Sequence, residues 1–206
     1  MKRAALVAFA ALAACATAPG GADRPAESTA DQDDLTALLK RDLHPRGQAT
    51  TSRIDLDDLQ RFCNLHADQP PADEAKRREE AMLKAIPYPQ GSLVGDWKKG
   101  EAIAQSGRGM TWSDKPGASG GSCYNCHQIS PKEEAFGTIG PSLAGFGKLR
   151  GNGPEVQRYV FGKIYNAKAY NACSTMPRMG TSGTLSAEQI KDLVALLLDP
   201  ASPVNQ

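Results

Sequence analysis

The sequence is poor in aromatic residues, which make up only 6% of the chain. A small domain of this composition can build only a thin core from side chains alone. Basic and acidic residues are nearly balanced, at 24 and 23, which gives a formal net charge of +1. This balance gives no support to nucleic-acid binding, which requires a basic surface.

Long apolar runs are also missing. The apolar segment at residues 4–11 is too short to cross a bilayer, which takes about 20 residues. It follows Lys2 and Arg3 and precedes small residues, as in a secretory signal peptide. We therefore predict that residues 1–14 are a cleaved leader and that the protein is exported to the periplasm.

The leader ends in Leu-Ala-Ala before Cys15, and this pattern resembles the bacterial lipobox. In a lipobox the chain is cut before the cysteine, which is then lipidated, so Cys15 is a candidate membrane anchor. The alternative is an ordinary cleavage site beside a cysteine, because small residues precede the cut in every signal peptide. Several acyl chains would hold the protein firmly at the membrane, whereas one chain would bind weakly.

Two of the five cysteines belong to the motif Cys123-Tyr-Asn-Cys126-His127. C-x-x-C-H is typical of a c-type haem attachment site. At helical spacing the three residues share one face, so both thiols can reach a porphyrin edge while the imidazole turns toward the iron. We predict one covalent haem c, with Cys123 and Cys126 as thioether anchors and His127 as an axial ligand. A buried porphyrin would also supply the apolar area that the side chains lack.

Zinc sites and thioredoxin-like redox sites also use Cys-x-x-Cys pairs. A structural zinc site commonly has a second paired cluster, and the sequence contains no further Cys-x-x-Cys or His pair. A thioredoxin-like site lies in a βαβ context, whereas the flanks here are rich in Gly and Ser and then helical. The sequence therefore favours haem.

Cys63 and Cys173 remain once Cys15 and the haem pair are assigned. In an oxidising compartment, two further cysteines favour one disulfide. The alternative is a pair of unrelated thiols, because sequence does not give the distance between their Cα atoms.

The composition of the chain and the spacing of its apolar residues predict an all-α protein in two parts. Residues 15–32 are rich in Ala, Pro, Gly and Ser and predict a flexible tether. Residues 33–94 predict a helical N-terminal extension, which closes with a segment rich in Pro and Gly. Residues 95–206 predict the haem-binding domain. The predicted helices cover about 33–43, 55–66, 72–84, 96–104 and 154–165, and a last one lies between Ser186 and Pro200.

The second axial ligand decides between electron transfer and ligand chemistry. Met176 is the first candidate, because it precedes Pro177 in an irregular stretch between two helices, where a loop can pass over a porphyrin face. Met179 comes next. The remaining candidates are Met110, His44 and His66, although methionine usually fills a core and a lone histidine is usually on the surface.

Five stretches carry a resemblance to class I cytochromes c and, more narrowly, to the SoxX family, the small monohaem subunit of the SoxAX complex of sulfur-oxidising bacteria. The stretches are GDWKKGEAIAQSGRGM, GSCYNCHQISP, GTIGPSLAGFGKLRG, GKIYNAKAYNACSTMPRMG and LLLDPASPVN. They fall within residues 95–205, about half the chain. Met179 stands where that family usually has an aromatic residue, and the N-terminal extension lies outside the common core of the family.

The resemblance implies a class I cytochrome c fold with one covalent haem. It implies that His127 and Met176 bind the iron and that the Pro141 carbonyl accepts a hydrogen bond from His127 Nδ1. Arg178 would pair with a haem propionate or remain a solvated surface residue.

The resemblance also implies a function and three protein partners. The chain would pass electrons from a SoxA-type cytochrome to a soluble cytochrome c, while the complex couples thiosulfate to a cysteine of a SoxY-type carrier protein. The bond-forming chemistry would belong to the SoxA-type partner, so this subunit would itself be non-catalytic. The alternatives are a free electron-carrier cytochrome, a haem enzyme or sensor with an open sixth position, and a lipoprotein whose extension serves mainly in assembly.

Overall fold

The computed structural model describes residues 28–66, 69–109 and 111–206. The predicted leader, the lipidation site Cys15 and the candidate ligand Met110 lie outside these residues. The described residues contain no β-strand, only an isolated bridge between Arg46 and Ala49. The predicted all-α class is therefore confirmed for this part of the chain. In the same part, no helix is long and apolar enough to cross a membrane.

Seven α-helices form the framework. They are α1 (Thr29–Asp42), α2 (Asp58–Leu65), α3 (Ala72–Lys84), α4 (Trp97–Gln105), α5 (Phe146–Arg150), α6 (Pro154–Tyr165) and α7 (Ala187–Leu198). Short 3-10 turns lie at Thr51–Ile54, Cys123–Asn125, Ala167–Ala169 and Pro203–Asn205. The helices that the sequence predicts are all present, and α5 is a short additional helix.

The main hydrophobic core is built around the contact between α4 and α7. A Cβ added at Gly100 would lie 2.2 Å from the Asp192 carbonyl oxygen, so the two backbones approach more closely there than any side chain allows. The start of α4 is joined to the middle of α7 as well, since the backbone N–H of Asp96 donates to Asp192 Oδ1 at 2.8 Å. Ile190 and Val194 of α7 are fully buried in this core.

Caps at both ends of α7 fix its position. Ser186 and Gln189 form the capping box that the sequence predicts. At the other end, buried Asn205 donates from Nδ2 to the carbonyl oxygens of Leu197 and Asp199 at 3.0 Å each. Asn205 Oδ1 also accepts the Lys148 N–H at 3.1 Å, so the chain end ties α5 to α7.

The start of α1 differs from the prediction, because the helix begins at Thr29 rather than near residue 33. Ser28 accepts the Asp31 N–H and Asp31 accepts the Ser28 N–H, a complete capping box within the predicted tether. The leucine side chains of α1 remain on the surface of the molecule, as does Leu43 directly after the helix, which is 52% exposed. Two ion pairs join the helix to its neighbours, Asp33 with Arg61 of α2 and Lys40 with Asp55.

The extension packs directly onto the rest of the molecule. Leu59, Phe62 and Cys63 of α2 form a second apolar cluster with Ala172, which lies after α6. A further contact lies at the loop before α2, where the Arg46 guanidinium stacks 3.3 Å from the centroid of the Trp112 ring. Leu93 and Val94, in the Pro- and Gly-rich segment that closes the predicted extension, pack against the main core, and the preceding Ile86 is part of that core.

We expect Gly100→Ala to lower the free energy of unfolding by about 1–3 kcal/mol, because the new methyl group meets backbone that cannot rotate away. Lys99→Ala, exposed on the same helix, is the matched control and should have little effect. Chemical denaturation of both variants measures the difference. Equal stability of the two would mean that α4 and α7 can separate at little cost, against this account of the core.

Candidate haem site

The C-x-x-C-H motif is anchored at the end of α4. The Gly121 N–H donates to the Ile103 carbonyl at 2.8 Å, and the Ser122 N–H donates to the Ser106 carbonyl at 3.0 Å. Ser122 then turns into the left-handed region, with φ of 51°, and starts the tight 3-10 turn at Cys123–Asn125. The N–H groups of Cys126 and His127 both donate to the Cys123 carbonyl, at 3.1 and 3.0 Å. One turn therefore brings the three motif residues together.

The Cys123 and Cys126 thiols are free and partly buried. Burial raises the pKa of the Cys123 thiol to about 11. Reactive cysteines of thioredoxin-like sites have lowered pKa values, which favour the thiolate. The local environment is therefore unlike that of a dithiol redox site.

The loop at residues 137–143 orients the His127 ring. His127 Nδ1 lies 2.7 Å from the Pro141 carbonyl oxygen, the contact that the family resemblance implies. Because a carbonyl only accepts, Nδ1 carries the proton and Nε2 keeps its lone pair for a metal. A Cβ at Gly140 would lie 2.2 Å from His127 Cε1, so only glycine lets the backbone pass against the ring.

The same loop is joined to the motif on both sides of the histidine. The Gly140 N–H donates to the Cys126 carbonyl and the Leu143 N–H to the Gln128 carbonyl, both at 2.8 Å. Ile139, the residue before Gly140, is 78% exposed. An exposed apolar side chain in the loop that orients His127 is suited to contact with the apolar face of a porphyrin.

The two methionines of the loop after α6 have different environments. Met179 is 7% exposed and belongs to the main core, so it fills the position that the SoxX family usually gives to an aromatic residue. Met176 is only partly buried at the edge of that core. The loop is fixed at its far end by the N–H groups of Gly180 and Thr181, which donate to the Tyr165 carbonyl at 3.0 and 3.1 Å. The side chain of Met176 is therefore more exposed than that of Met179.

The candidate histidine ligands lie in the extension. His66 Nδ1 donates to the Phe62 carbonyl at 2.7 Å, and the His66 and Phe62 rings pack 4.8 Å apart. His66 thus ends α2 in a local contact. His44 is exposed after α1. Among the residues that the structure describes, no hydrogen bond or ring contact joins either histidine to the Cys-x-x-Cys-His turn.

Arg178 has a protein partner that sequence reasoning missed, because it forms an ion pair with Asp57. Burial opposes ionisation of Asp57, but the Gln60 N–H and Arg178 outweigh it and hold the pKa of that carboxyl below its ordinary value. Sequence reasoning offered a haem propionate or solvent as the surroundings of Arg178. The capping box of Asp57 with Gln60 is the only local sign that Asp57 is structurally important.

Cys63 and Cys173 form a disulfide, with Cα atoms 5.5 Å apart. This is the pairing that the cysteine count predicts. The bond joins α2 to the loop that carries Met176, three residues before the methionine. Glu79 of α3, which sequence reasoning also missed, accepts the neighbouring Ala172 N–H at 2.7 Å.

The donor set fits a c-type haem. It combines two unpaired thiols on one turn, an imidazole with its Nδ1 proton fixed, and a partly buried thioether on a separate loop. Among the residues that the structure describes, no three His, Cys, Asp or Glu side chains gather as ligands of a metal ion would. The sulfur and imidazole chemistry therefore matches covalent haem better than structural zinc.

No protein-family model matches the chain. It is 42% identical over 128 residues to an uncharacterized lipoprotein of Aquifex aeolicus (strain VF5), an alignment that covers 61% of this chain and 60% of that protein. The chain thus spans less than two thirds of the length of this relative. A crystal structure of SoxXA from P. pantotrophus is similar with 27% identity and a TM-score of 0.39, over 57% of this chain and 95% of that one.

We expect the chain, produced together with a c-type haem maturation system, to gain the mass of one haem that persists through denaturation. The double variant Cys123→Ala with Cys126→Ala should lose this covalent haem, because no thioether can form. Intact-protein mass spectrometry and haem staining of denaturing gels measure the attachment.

The matched control is Cys63→Ser with Cys173→Ser, which removes the same number of cysteines and should keep the haem. Haem that leaves the unmodified chain on denaturation would rule out thioether attachment.

Proposed function

We propose that this protein is an electron-transfer cytochrome in which Cys123 and Cys126 hold one haem c and His127 and Met176 are the axial ligands of its iron. The observation that carries the proposal is the contact between His127 Nδ1 and the Pro141 carbonyl oxygen at 2.7 Å. It holds the proton of the neutral ring on Nδ1, so that the Nε2 lone pair is available to a metal, and it fixes the ring in the turn that carries two free thiols. When bound, the haem supplies a reversible one-electron couple at its iron.

Each protein group has a separate task in this proposal. The Pro141 carbonyl increases the basicity of His127 by accepting its Nδ1 proton in a hydrogen bond. Thioether ligation by Met176 favours a high reduction potential, as in cytochromes c. Two protein ligands leave no open coordination position, so the subunit relays electrons and does not bind a substrate at iron.

We further propose that the chain works beside a SoxA-type cytochrome. That complex would join thiosulfate to the thiol of a SoxY-type carrier cysteine, with formation of one S–S bond and release of two electrons and one proton. This chain would pass the electrons, one at a time, to a soluble cytochrome c. The five SoxX-like stretches between residues 95 and 205 support this role.

The proposed location is the periplasm, with a lipid anchor on Cys15. A Leu-Ala-Ala-Cys sequence at residues 12–15 supports the anchor. The similarity to a lipoprotein of Aquifex aeolicus supports it independently. Export also agrees with the disulfide between Cys63 and Cys173, since such bonds persist in oxidising compartments.

We expect Met176→Ala to abolish the weak near-infrared absorption band that methionine ligation gives to ferric haem, and to allow rapid carbon monoxide binding to the reduced protein. Met179→Ala should keep the band and lower the free energy of unfolding by about 2–5 kcal/mol, because it leaves a cavity in the core. Absorption spectra and denaturation measure the two effects.

The two methionine variants are controls for each other. Loss of the band in Met179→Ala alone would assign the ligand to Met179. Absence of the band in the unmodified oxidised protein would favour a haem enzyme or sensor with an open sixth position.

We expect the mature chain to form a stable complex with a SoxA-type cytochrome of the same organism, and to be retained with it from thiosulfate-grown cells. Affinity purification through a tag on the C-terminus of this chain, followed by haem staining, measures the association. Recovery without a second cytochrome would favour a free electron carrier over a SoxAX-type subunit.

A further inference from the structure

The segment that carries Met176 contains no helix. It lies between the 3-10 turn Ala167–Ala169 and the contacts of residues 180 and 181 with Tyr165. Within it, the Ser174 N–H donates to the Asn171 carbonyl at 3.0 Å, and the Met176 N–H donates to Ser174 Oγ at 3.2 Å. These are turn contacts between near neighbours. A loop held only by such contacts opens readily.

Three contacts from the extension flank the methionine on both sides. Before it, Cys173 is bonded to Cys63, and the Ala172 N–H donates to Glu79 Oε1 at 2.7 Å. After it, Arg178 pairs with Asp57. The contacts thus come from both α2 and α3, and their points of attachment span only seven residues of the loop.

The contacts before Met176 are shielded from water. Ala172 is 1% exposed and Cys63 3% exposed, and both pack with Phe62 and Leu59 in the second apolar cluster. Glu79 is only partly exposed. A hydrogen bond from a buried N–H to a carboxylate is stronger in such surroundings than in water, and loss of the acceptor leaves the N–H unpaired.

We propose that Asp57 and Glu79 are positioning residues for the axial methionine and that, with the disulfide, they hold the Met176 loop closed over the iron. The inference rests on the proposed ligation by Met176. An external ligand can bind only when the methionine has left the iron. Loss of either carboxylate contact would raise the population of the open loop and with it the apparent affinity for an external ligand.

Imidazole binding to the ferric, haem-loaded protein tests this role, because the affinity reports the open population directly. We expect Glu79→Ala to raise the affinity about tenfold, the effect of losing one hydrogen bond to a charged group. Glu79→Gln keeps an acceptor oxygen and should restore most of the original value. Glu74→Ala is the matched control on α3, because Glu74 pairs with Arg78 and not with the loop.

The contact after the methionine is tested by Asp57→Asn, since asparagine keeps the helix cap but loses the charge that pairs with Arg178. We expect a smaller rise in imidazole affinity, because the ion pair is partly exposed. The control is Asp58→Asn, whose carboxylate pairs with Arg78. The double variant Cys63→Ser with Cys173→Ser should raise the affinity as well, and it tests the same role if Glu79→Ala fails to fold.

Met176→Ala separates failure of this inference from failure of the proposed ligation. If Met176 binds iron, its removal should raise the imidazole affinity to a ceiling that added Glu79→Ala does not change. A high affinity in Met176→Ala, with equal affinities in Glu79→Ala and Glu74→Ala, would refute the positioning role and leave the ligation intact. No change in Met176→Ala would refute the ligation itself. Far-UV circular dichroism shows that each variant is folded.

Discussion

The contact of α4 with α7 at Gly100 is the constraint on which the rest of the structure depends. The Asp192 carbonyl occupies the space where a side chain would lie, so the two helices meet backbone to backbone. From this crossing, the Ile103 carbonyl fixes Gly121 at the entry to the haem motif. From the α7 side, Gln189 Nε2 donates to the Ser119 carbonyl at 2.7 Å, in the same loop. The position of the turn at Cys123–Asn125 therefore depends on the packing of α4 against α7, although neither helix carries a candidate haem ligand.

The second apolar cluster explains how α2 and α3 of the extension are stabilised. Their apolar faces are narrow, and isolated helices of this length are marginal in water. Phe62 and Leu59 pack against Ala172. The Arg78 guanidinium lies 4.3 Å from the centroid of the Phe62 ring and forms ion pairs with Asp58 and Glu74. The extension is thus a layer added to the side of the methionine loop.

Local chemistry was readable from the sequence, and long-range partners were not. The caps of α7, the first-turn proline of α6 and the C-x-x-C-H spacing are signals contained in a few consecutive residues, and the structure has these elements where they are predicted. The start of α1 was missed because its capping box lies in an Ala- and Pro-rich stretch. Asp57 and Glu79 lie 121 and 93 residues from the groups they contact. One of those groups is a backbone N–H, which carries no sequence signal at all.

During maturation of this chain, two cysteines must be oxidised to the disulfide while the two motif cysteines stay reduced. Cys63 and Cys173 are separated by 110 residues, and the motif cysteines lie inside the loop that their bond closes. Four thiols can form six different single disulfides, and only the bond between Cys63 and Cys173 leaves both Cys123 and Cys126 reduced for the proposed thioether bonds. Oxidation of the nearest neighbours, Cys123 with Cys126, is the error that the cell must prevent or reverse. For the proposed cytochrome, the order of cysteine oxidation and haem attachment therefore determines whether the thioether bonds can form.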